Sequence, residues 1–204
     1  RQGCNIHEIP FGRQNRGEGE HVAQNWMSYH DDAAGLALMN RGTPSNNVTD
    51  DVMFLTLFRA VAMEYKTESA LSFNEGVEQH FQYAIMPHAG APDHKVVKEG
   101  MAFNRPPLAL RLDNALTSEW RVGPDNVIIS TMRPEKNGVF IRLYECEGKE
   151  TDAEMAMPSN ISNVVACDGL GRINAMDDEE IIDSGRLKTR FNPFEIKSFL
   201  LFGG

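Results

Sequence analysis

Asn126-Val-Ile-Ile-Ser-Thr-Met132 and Val139-Phe-Ile-Arg-Leu-Tyr144 are two runs of strand-forming residues, and Glu135-Lys-Asn-Gly138 lies between them. Asn-Gly is the pair that tight hairpin turns prefer, because their central residues adopt positive φ. The three stretches therefore predict an antiparallel β-hairpin in the second half of the chain.

Runs of the same kind lie on both sides of this hairpin, and Gly, Pro, Asn and Asp clusters separate them. They cover residues 51–62, 79–86, 107–112, 153–157, 185–191 and 195–202. No stretch sustains the apolar stripe of an amphipathic helix, although residues 61–72 have room for a short turn. Short strands between turn residues are typical of sandwiches rather than βαβ units. The sequence therefore predicts an all-β fold.

Gln79-His-Phe-Gln-Tyr-Ala-Ile-Met86 has a clear two-residue alternation. Phe81, Tyr83 and Ile85 fall on one face of a strand, and polar or small residues fall on the other. The pattern predicts a half-buried strand, and aromatic residues in such a pattern usually belong to the core.

A polar stretch from Asn114 to Pro124, which contains a Gly-Pro pair, separates two β-rich blocks. Such stretches mark domain boundaries. We therefore predict one domain over residues 1–115 and a smaller one over residues 116–204.

Charge and hydropathy exclude two classes of partner. The 204 residues carry a net charge of −9, whereas nucleic-acid binding requires a basic face. No apolar stretch approaches the ~20 residues of a membrane-spanning helix. We therefore expect neither a nucleic acid nor a membrane as a partner.

Cysteine use and the first residue bear on the origin of the chain. Cys4, Cys146 and Cys167 are an odd number at long spacings, which fits neither a disulfide framework nor a CxxC zinc site. Reduced thiols are typical of a reducing compartment, so we expect a cytoplasmic protein. The chain starts at Arg1 without a methionine, and we expect it to be a fragment.

The residues by themselves predict no catalytic residue, no metal ligand and no cofactor. The histidines form no HxH or HExxH pair, and the acidic run of residues 177–180 lacks the ligand spacing of a calcium loop. No GxSxG, GxGxxG or phosphate-binding loop occurs. These observations alone indicate a β-sandwich protein, and a binding module is one function that they allow.

Four segments in order resemble the C-terminal region of glycoside hydrolase family 38, the zinc-dependent α-mannosidases. They are His7-Glu-Ile-Pro-Phe-Gly12 with Glu20-His-Val-Ala-Gln-Asn-Trp26, Gly35-Leu-Ala-Leu-Met-Asn-Arg-Gly42 with Phe54-Leu-Thr-Leu-Phe-Arg59, His80-Phe-Gln-Tyr-Ala-Ile-Met-Pro-His88, and Arg142-Leu-Tyr-Glu-Cys-Glu-Gly148 with Pro193-Phe-Glu-Ile-Lys-Ser-Phe199. The pattern is nearer the bacterial type, which includes mannosylglycerate hydrolases. Ser198 departs from it, because the family often has Thr there.

The resemblance implies an antiparallel supersandwich, similar to galactose mutarotase, followed by a smaller β-sandwich. In this family an α/β barrel precedes the β-domains, and it supplies the zinc ligands and the nucleophile of retaining α-mannoside hydrolysis. We therefore expect the present chain to be inactive alone, to hold no zinc, and to pack on a catalytic barrel of the same polypeptide whose substrate is a mannose-containing carbohydrate.

The resemblance also offers a substrate-binding residue, Arg59, because one arginine of the β-region approaches the active site in this family. Its guanidinium would contact sugar hydroxyls or a carboxylate, and a structural ion pair is the alternative. Trp26, Phe81 and Tyr83 are expected in the core rather than in a sugar-stacking platform. His80 and His88 are expected to tie loops to the sheet.

Two other functions stay open at this point. An autonomous carbohydrate-binding module would expose a line of aromatic residues, whereas a packing domain would expose a large apolar patch. A mutarotase-like epimerase would need a histidine and a carboxylate in one cleft, and His80 with Glu20 is the pair that the sequence offers. Strands missing before residue 1 would leave a free sheet edge, through which a homo-oligomer could form.

Overall fold

The fold is described here from a computed structural model, which describes residues 3–58, 76, 78–109, 111, 120–173, 182–183 and 185–203. The chain forms two compact units, Arg1–Leu108 and Ala109–Gly204. The predicted boundary between residues 115 and 116 lies outside the described residues, as do Arg59 and the predicted turn over residues 61–72.

The first unit contains two antiparallel sheets. One is five-stranded, in the order β2-β1-β4-β5-β8, and the other is three-stranded, in the order β3-β6-β7. The strands are β1 (Cys4–Ile9), β2 (Gly12–Arg16), β3 (Gly19–Val22), β4 (Trp26–His30), β5 (Ala34–Asn40), β6 (Ser45–Thr49), β7 (Val52–Leu55) and β8 (Tyr83–Ala89). Ala23, Met27, Leu38 and Val48 form a buried cluster to which both sheets contribute.

A helix, α1 (His94–Asn104), packs on the five-stranded sheet and corrects the expectation that the chain lacks a convincing helix. Asp93 caps it by accepting a hydrogen bond from the Lys95 backbone N at 2.9 Å. Its buried residues are only Val96, Val97 and Gly100, too few for an apolar stripe in the sequence. A Cβ at Gly100 would lie 2.7 Å from Trp26 Cδ1, so the glycine permits close approach of helix and sheet.

Strand β8 is present, but the prediction about its faces is wrong. Tyr83 and Ile85 are 55% and 57% exposed, whereas the alternate positions Ala84, Met86 and His88 are half-buried. Helix α1 packs beside the Trp26 face of the sheet, and Tyr83 and Ile85 share the opposite face with Leu38. Among the described strands β8 pairs only with β5, and it contains Pro87.

The predicted strand over residues 107–112 is also wrong in its described part. Residues 107–109 and 111 have no strand structure, and Leu108 is 89% exposed. Pro106 and Pro107 follow the end of α1, and neither can donate a backbone hydrogen bond to a sheet.

The second unit is a β-sandwich of two four-stranded antiparallel sheets, in the orders β10-β11-β16-β13 and β14-β15-β12-β9. Its strands are β9 (Arg121–Gly123), β10 (Val127–Glu135), β11 (Gly138–Glu145), β12 (Thr151–Ala156), β13 (Ile161–Cys167), β14 (Ile182–Asp183), β15 (Arg186–Phe191) and β16 (Ile196–Gly203). Both sheets contribute to one core, which includes Ile141, Met155, Val164, Leu187 and Phe199.

The all-β prediction and the predicted hairpin are confirmed. Strands β10 and β11 pair from Val127↔Glu145 to Glu135↔Gly138, so Lys136 and Asn137 form the two-residue connection. In the described part of the chain, no helix has the length and apolarity that a membrane crossing would require.

Candidate functional site

Arg59, the residue that the sequence offered for substrate binding, lies outside the described residues. Phe58, which precedes it, is 57% exposed and stacks on Phe81, with ring centroids 6.0 Å apart and an interplanar angle of 12°. The described chain before Arg59 is therefore an exposed aromatic surface. Whether Arg59 binds substrate stays a prediction.

Apolar side chains remain exposed over several parts of the first unit. On the three-stranded sheet, Val22 and Phe54 belong to the face opposite Val48, and both are more than half exposed. On β8, Tyr83 and Ile85 are exposed in the same way. We call these residues, which lie on or beside two different sheets, the apolar surface: Val22, Val52, Phe54, Phe58, Tyr83 and Ile85. It combines aliphatic and aromatic residues rather than a line of aromatic rings.

The other aromatic candidate, Trp26, is fully buried. Its indole lies against Gly100 of α1, so no sugar can stack on it. The prediction that Trp26 belongs to the core is confirmed, whereas the same prediction is wrong for Tyr83.

His88 ties β8 to a strand that is not its neighbour. Its Nε2 lies 2.8 Å from Ser28 Oγ on β4, although β5 lies between the two strands. The imidazole crosses β5 at Gly35, where a Cβ would lie 2.2 Å from His88 Cε1. The pKa of the adjacent His30 is lowered by burial and by the nearby His88 and Arg13. His88 therefore joins two strands of one sheet, rather than a loop to the sheet as the sequence predicted.

His80 does not have the role that the sequence suggested. It is exposed, and its Nε2 lies 3.3 Å from Glu78 Oε1 in the same segment. Glu20 instead accepts hydrogen bonds from Ser45 Oγ and Thr56 Oγ1 on the three-stranded sheet, at 2.7 and 3.3 Å. The histidine and the carboxylate that an epimerase would need therefore have different partners.

Glu8 is a buried carboxylate that joins the two halves of the first resemblance segment. It accepts hydrogen bonds from the Asn25 backbone N at 2.6 Å and from Asn25 Nδ2 at 3.0 Å. The Asn40 backbone N in turn donates to Asn25 O at 3.0 Å, and Asn104 Nδ2 of α1 donates to Asn40 O at 2.9 Å. Burial raises the pKa of Glu8, and the Asn25 hydrogen bonds oppose that shift.

Glu145 joins the two halves of the fourth segment. Its carboxylate is fully buried and accepts hydrogen bonds from Asn126 Nδ2 and from the backbone N of Glu147, Gly148, Lys149 and Phe194, at 2.7 to 3.1 Å. Burial alone would raise its pKa, but these donors, led by Phe194, lower it. A Cβ at Gly148 would lie 2.6 Å from the Phe194 ring, so glycine is required at that contact.

Arg142 in the same segment explains why Ser198 is tolerated in place of threonine. Its Nε donates to Ser198 Oγ at 3.2 Å, and one guanidinium N donates to Gly169 O at 2.5 Å. Either hydroxyl residue supplies the acceptor. This segment is therefore a structural junction of strands and loops.

The described part of the chain offers no metal site. Within residues that the structure describes, no group of three or more His, Cys, Asp and Glu side chains has an arrangement that could hold a metal ion. His7, which is fully buried, hydrogen-bonds Asn5 Oδ1 at 2.9 Å, and burial together with His21 and Arg16 lowers its pKa to about 4.

Residues 126–199 match the C-terminal β-sandwich domain of glycosyl hydrolases family 38. The resemblance to glycoside hydrolase family 38 is confirmed. Glu145, Gly148 and Phe194 all lie within this family 38 region, so the junction that they form is part of the matched domain.

Similar proteins extend the likeness over both units. The chain is 29% identical to human alpha-mannosidase 2C1 and 26% identical to its mouse counterpart, over 88% and 96% of its own length. It spans only 18% and 20% of the length of those two relatives. An alpha-mannosidase from Enterococcus faecalis V583 shares the fold, with a TM-score of 0.74 and 14% identity over 98% of this chain and 24% of that one.

These comparisons leave the finer predictions as they were. The bacterial, mannosylglycerate hydrolase-like subclass, the zinc of a catalytic barrel, and the cytoplasmic location stay predictions.

Proposed function

We propose that this chain is the non-catalytic C-terminal β-region of a retaining α-mannosidase, and that it packs on a catalytic barrel of the same polypeptide. Three facts support the proposal: the match to the family 38 C-terminal β-sandwich domain, the alpha-mannosidase names of the relatives, and their length, of which this chain covers about a fifth. The barrel would supply the zinc and the nucleophile. Hydrolysis of α-mannosides would then pass through a covalent glycosyl-enzyme formed on that nucleophile.

The observation that carries the packing role is the apolar surface of the first unit. Phe54, Tyr83 and Ile85 are each more than half exposed, and burial of such a side chain stabilises an interface by roughly 1 kcal/mol or more. Exposed apolar residues in groups indicate an interaction site, whereas single ones are ordinary. The occupant we propose is the remaining part of the polypeptide, which in the relatives is several times longer than this chain.

The apolar surface favours a packing domain over an autonomous carbohydrate-binding module. Sugar-binding platforms use aromatic rings, but Val22, Val52 and Ile85 are aliphatic side chains that offer no ring to stack on a sugar. The Phe58–Phe81 pair is stacked on itself, so each ring already covers one face of the other. The epimerase alternative has no specific contact in its favour.

The test uses the complete polypeptide and the 204-residue chain side by side. Phe54→Asp with Ile85→Asp should lower turnover of a 4-nitrophenyl α-mannoside by the complete polypeptide at least about 10-fold, because interdomain packing is lost. The same pair should leave the circular dichroism spectrum and thermal midpoint of the 204-residue chain unchanged. Leu170→Asp, at a 71% exposed site of the second unit, is the matched control.

Two outcomes would contradict the proposal. Unchanged turnover by the Phe54→Asp, Ile85→Asp protein would remove the apolar surface from the interface. Zinc-dependent turnover by the 204-residue chain alone would show that the chain is catalytic. Arg59→Ala in the complete polypeptide adds the substrate-binding test, where we expect lower turnover without unfolding.

A further inference from the structure

A pocket of about 380 Å³ opens in the first unit, and none of the apolar surface residues lines it. Its polar lining comprises Asn5, Arg16, Glu18, Tyr29, Asp50 and Asp51, and Val48 adds an apolar contact. The volume lies near the lower end of the range for small-molecule sites, which suits a ligand of one ring.

The strands place these side chains opposite one another. Asn5 of β1 pairs directly with Arg16 of β2 and with Tyr29 of β4, so all three share one face of the five-stranded sheet. Asn5 is only 5% exposed, and its Nδ2 donates to Gly17 O at 3.2 Å. The Tyr29 hydroxyl accepts from the Gly3 backbone N at 3.0 Å and donates to Asp51. One wall of the pocket is therefore held by hydrogen bonds.

The opposite wall is the turn between β6 and β7. Thr49 pairs with Val52, so Asp50 and Asp51 are the two central residues of the turn, and their φ angles are 50° and 61°. Turns with two positive φ angles prefer Asn-Gly, because most side chains are strained there. Here both positions carry a carboxylate that lines the pocket.

We propose that this pocket binds one neutral, pyranose-sized polyhydroxylated ligand. The carboxylates of Glu18, Asp50 and Asp51 accept hydrogen bonds from hydroxyl groups, and the Arg16 guanidinium donates to their oxygens. The Tyr29 ring and Val48 provide apolar contacts for the C–H faces of a sugar ring. The proposal does not depend on a catalytic barrel, since every lining residue belongs to this chain.

Charge and ligand geometry exclude an anion and a metal ion, and the glucosamine titration below tests an organic cation. The pocket carries three carboxylates and one guanidinium, so an anion is disfavoured. A metal ion needs convergent ligands, and the described residues contain no group of three or more that could hold one. A neutral ligand with both donors and acceptors matches the mixed lining best.

The experiment titrates the 204-residue chain with ligands while recording backbone amide NMR spectra. Methyl α-D-mannopyranoside and D-mannose represent a glycan-terminal residue and a free sugar, and mannitol is the acyclic control. We expect shifts confined to the pocket residues and a Kd of about 1 mM for at least one of the two pyranoses. No pocket shifts at 50-fold that concentration would overturn the proposal, as would tighter binding of the ammonium sugar glucosamine.

A turn variant separates binding from folding. Asp50→Asn with Asp51→Gly creates the preferred Asn-Gly turn and removes both carboxylates. We expect a higher thermal midpoint together with pyranose binding at least about 10-fold weaker, so the loss cannot be due to unfolding. Asp152→Asn, on β12 of the second unit, is the control and should bind like the unchanged chain. Undiminished binding by the turn variant would refute the site.

Discussion

Glu8 in the first unit and Glu145 in the second are both buried carboxylates within resemblance segments, yet their pKa values shift in opposite directions. Glu8 accepts two hydrogen bonds from Asn25 and one from the Trp26 backbone N. Glu145 accepts five, four of them from backbone N–H groups. At Glu145 the donors together outweigh the effect of burial on the pKa, whereas at Glu8 burial outweighs its donors.

Because their hydrogen-bond donors differ, the two carboxylates have different structural roles. The Glu145 carboxylate holds the turn after β11 and the loop before β16 together, because it accepts hydrogen bonds from N–H groups of both. Glu8, whose pKa is raised, joins β1 to Asn25 and the start of β4. Three predictions, given in order of decreasing expected effect, test this contrast.

Glu145→Gln should lower the free energy of unfolding by about 3 kcal/mol. A glutamine has one acceptor oxygen, so its amide would face N–H donors that now have no acceptor. Urea denaturation of the 204-residue chain at pH 7 measures the change. Glu150→Gln is the control, because Glu150 forms an exposed ion pair with Arg190 and should change stability by less than about 0.5 kcal/mol. Equal effects of the two substitutions would remove the special role of Glu145.

The pH dependence of the two sites should have opposite sign. The folded pKa of Glu145 is lowered, so its contribution is complete above the unfolded value of 4.5 and is lost as the pH falls through the folded pKa. The folded pKa of Glu8 is raised, so its contribution is present below 4.5 and is lost as the pH rises. The free energy of unfolding of each glutamine variant should therefore be compared with that of the unchanged chain between pH 3.5 and 7. The destabilisation by Glu145→Gln should shrink as the pH falls. Glu8→Gln should become more stable relative to the unchanged chain as the pH rises. Parallel trends would disprove the contrast.

Glu8→Gln should have the smallest effect at pH 7, a change of less than about 1 kcal/mol in the free energy of unfolding. The Asn25 amide can rotate so that its oxygen accepts from the new glutamine, and no buried charge remains to be desolvated. The same urea titration measures it. A loss as large as that of Glu145→Gln would mean that Glu8 is ionised in the folded chain.

Much of the second unit could be predicted from the sequence. The flanking runs specify the β10–β11 hairpin locally, and three later runs correspond to β12, β15 and β16. The reason given for the turn was wrong, because its central residues are Lys136 and Asn137 rather than Asn-Gly, and neither has positive φ. Periodicity in β8 identified which residues share a face but not which face is covered, because that depends on where distant elements pack. Helix α1 was not predicted, because it buries few side chains and so leaves no apolar stripe in the sequence.

The candidate sites were less accessible to sequence reasoning. Resemblance segments could be recognised, but their contacts, such as Gly148 against Phe194, join residues far apart in the chain. The pocket is less accessible still, because Arg16, Tyr29 and Asp51 share no motif. The only local signal is the Asp-Asp pair between two strand-forming runs, at a turn where glycine would be expected.

Pro87 has a consequence for contacts between copies of the chain. Pro87 pairs with Leu36, and it has no N–H to donate to that residue. Its backbone N and O therefore point away from β5, towards the outer edge of β8. A strand from another molecule that docked there would meet a gap in the donor row at the middle of its length. This edge therefore resists the strand-by-strand growth that leads to fibrils, even though the side chains beside it are apolar.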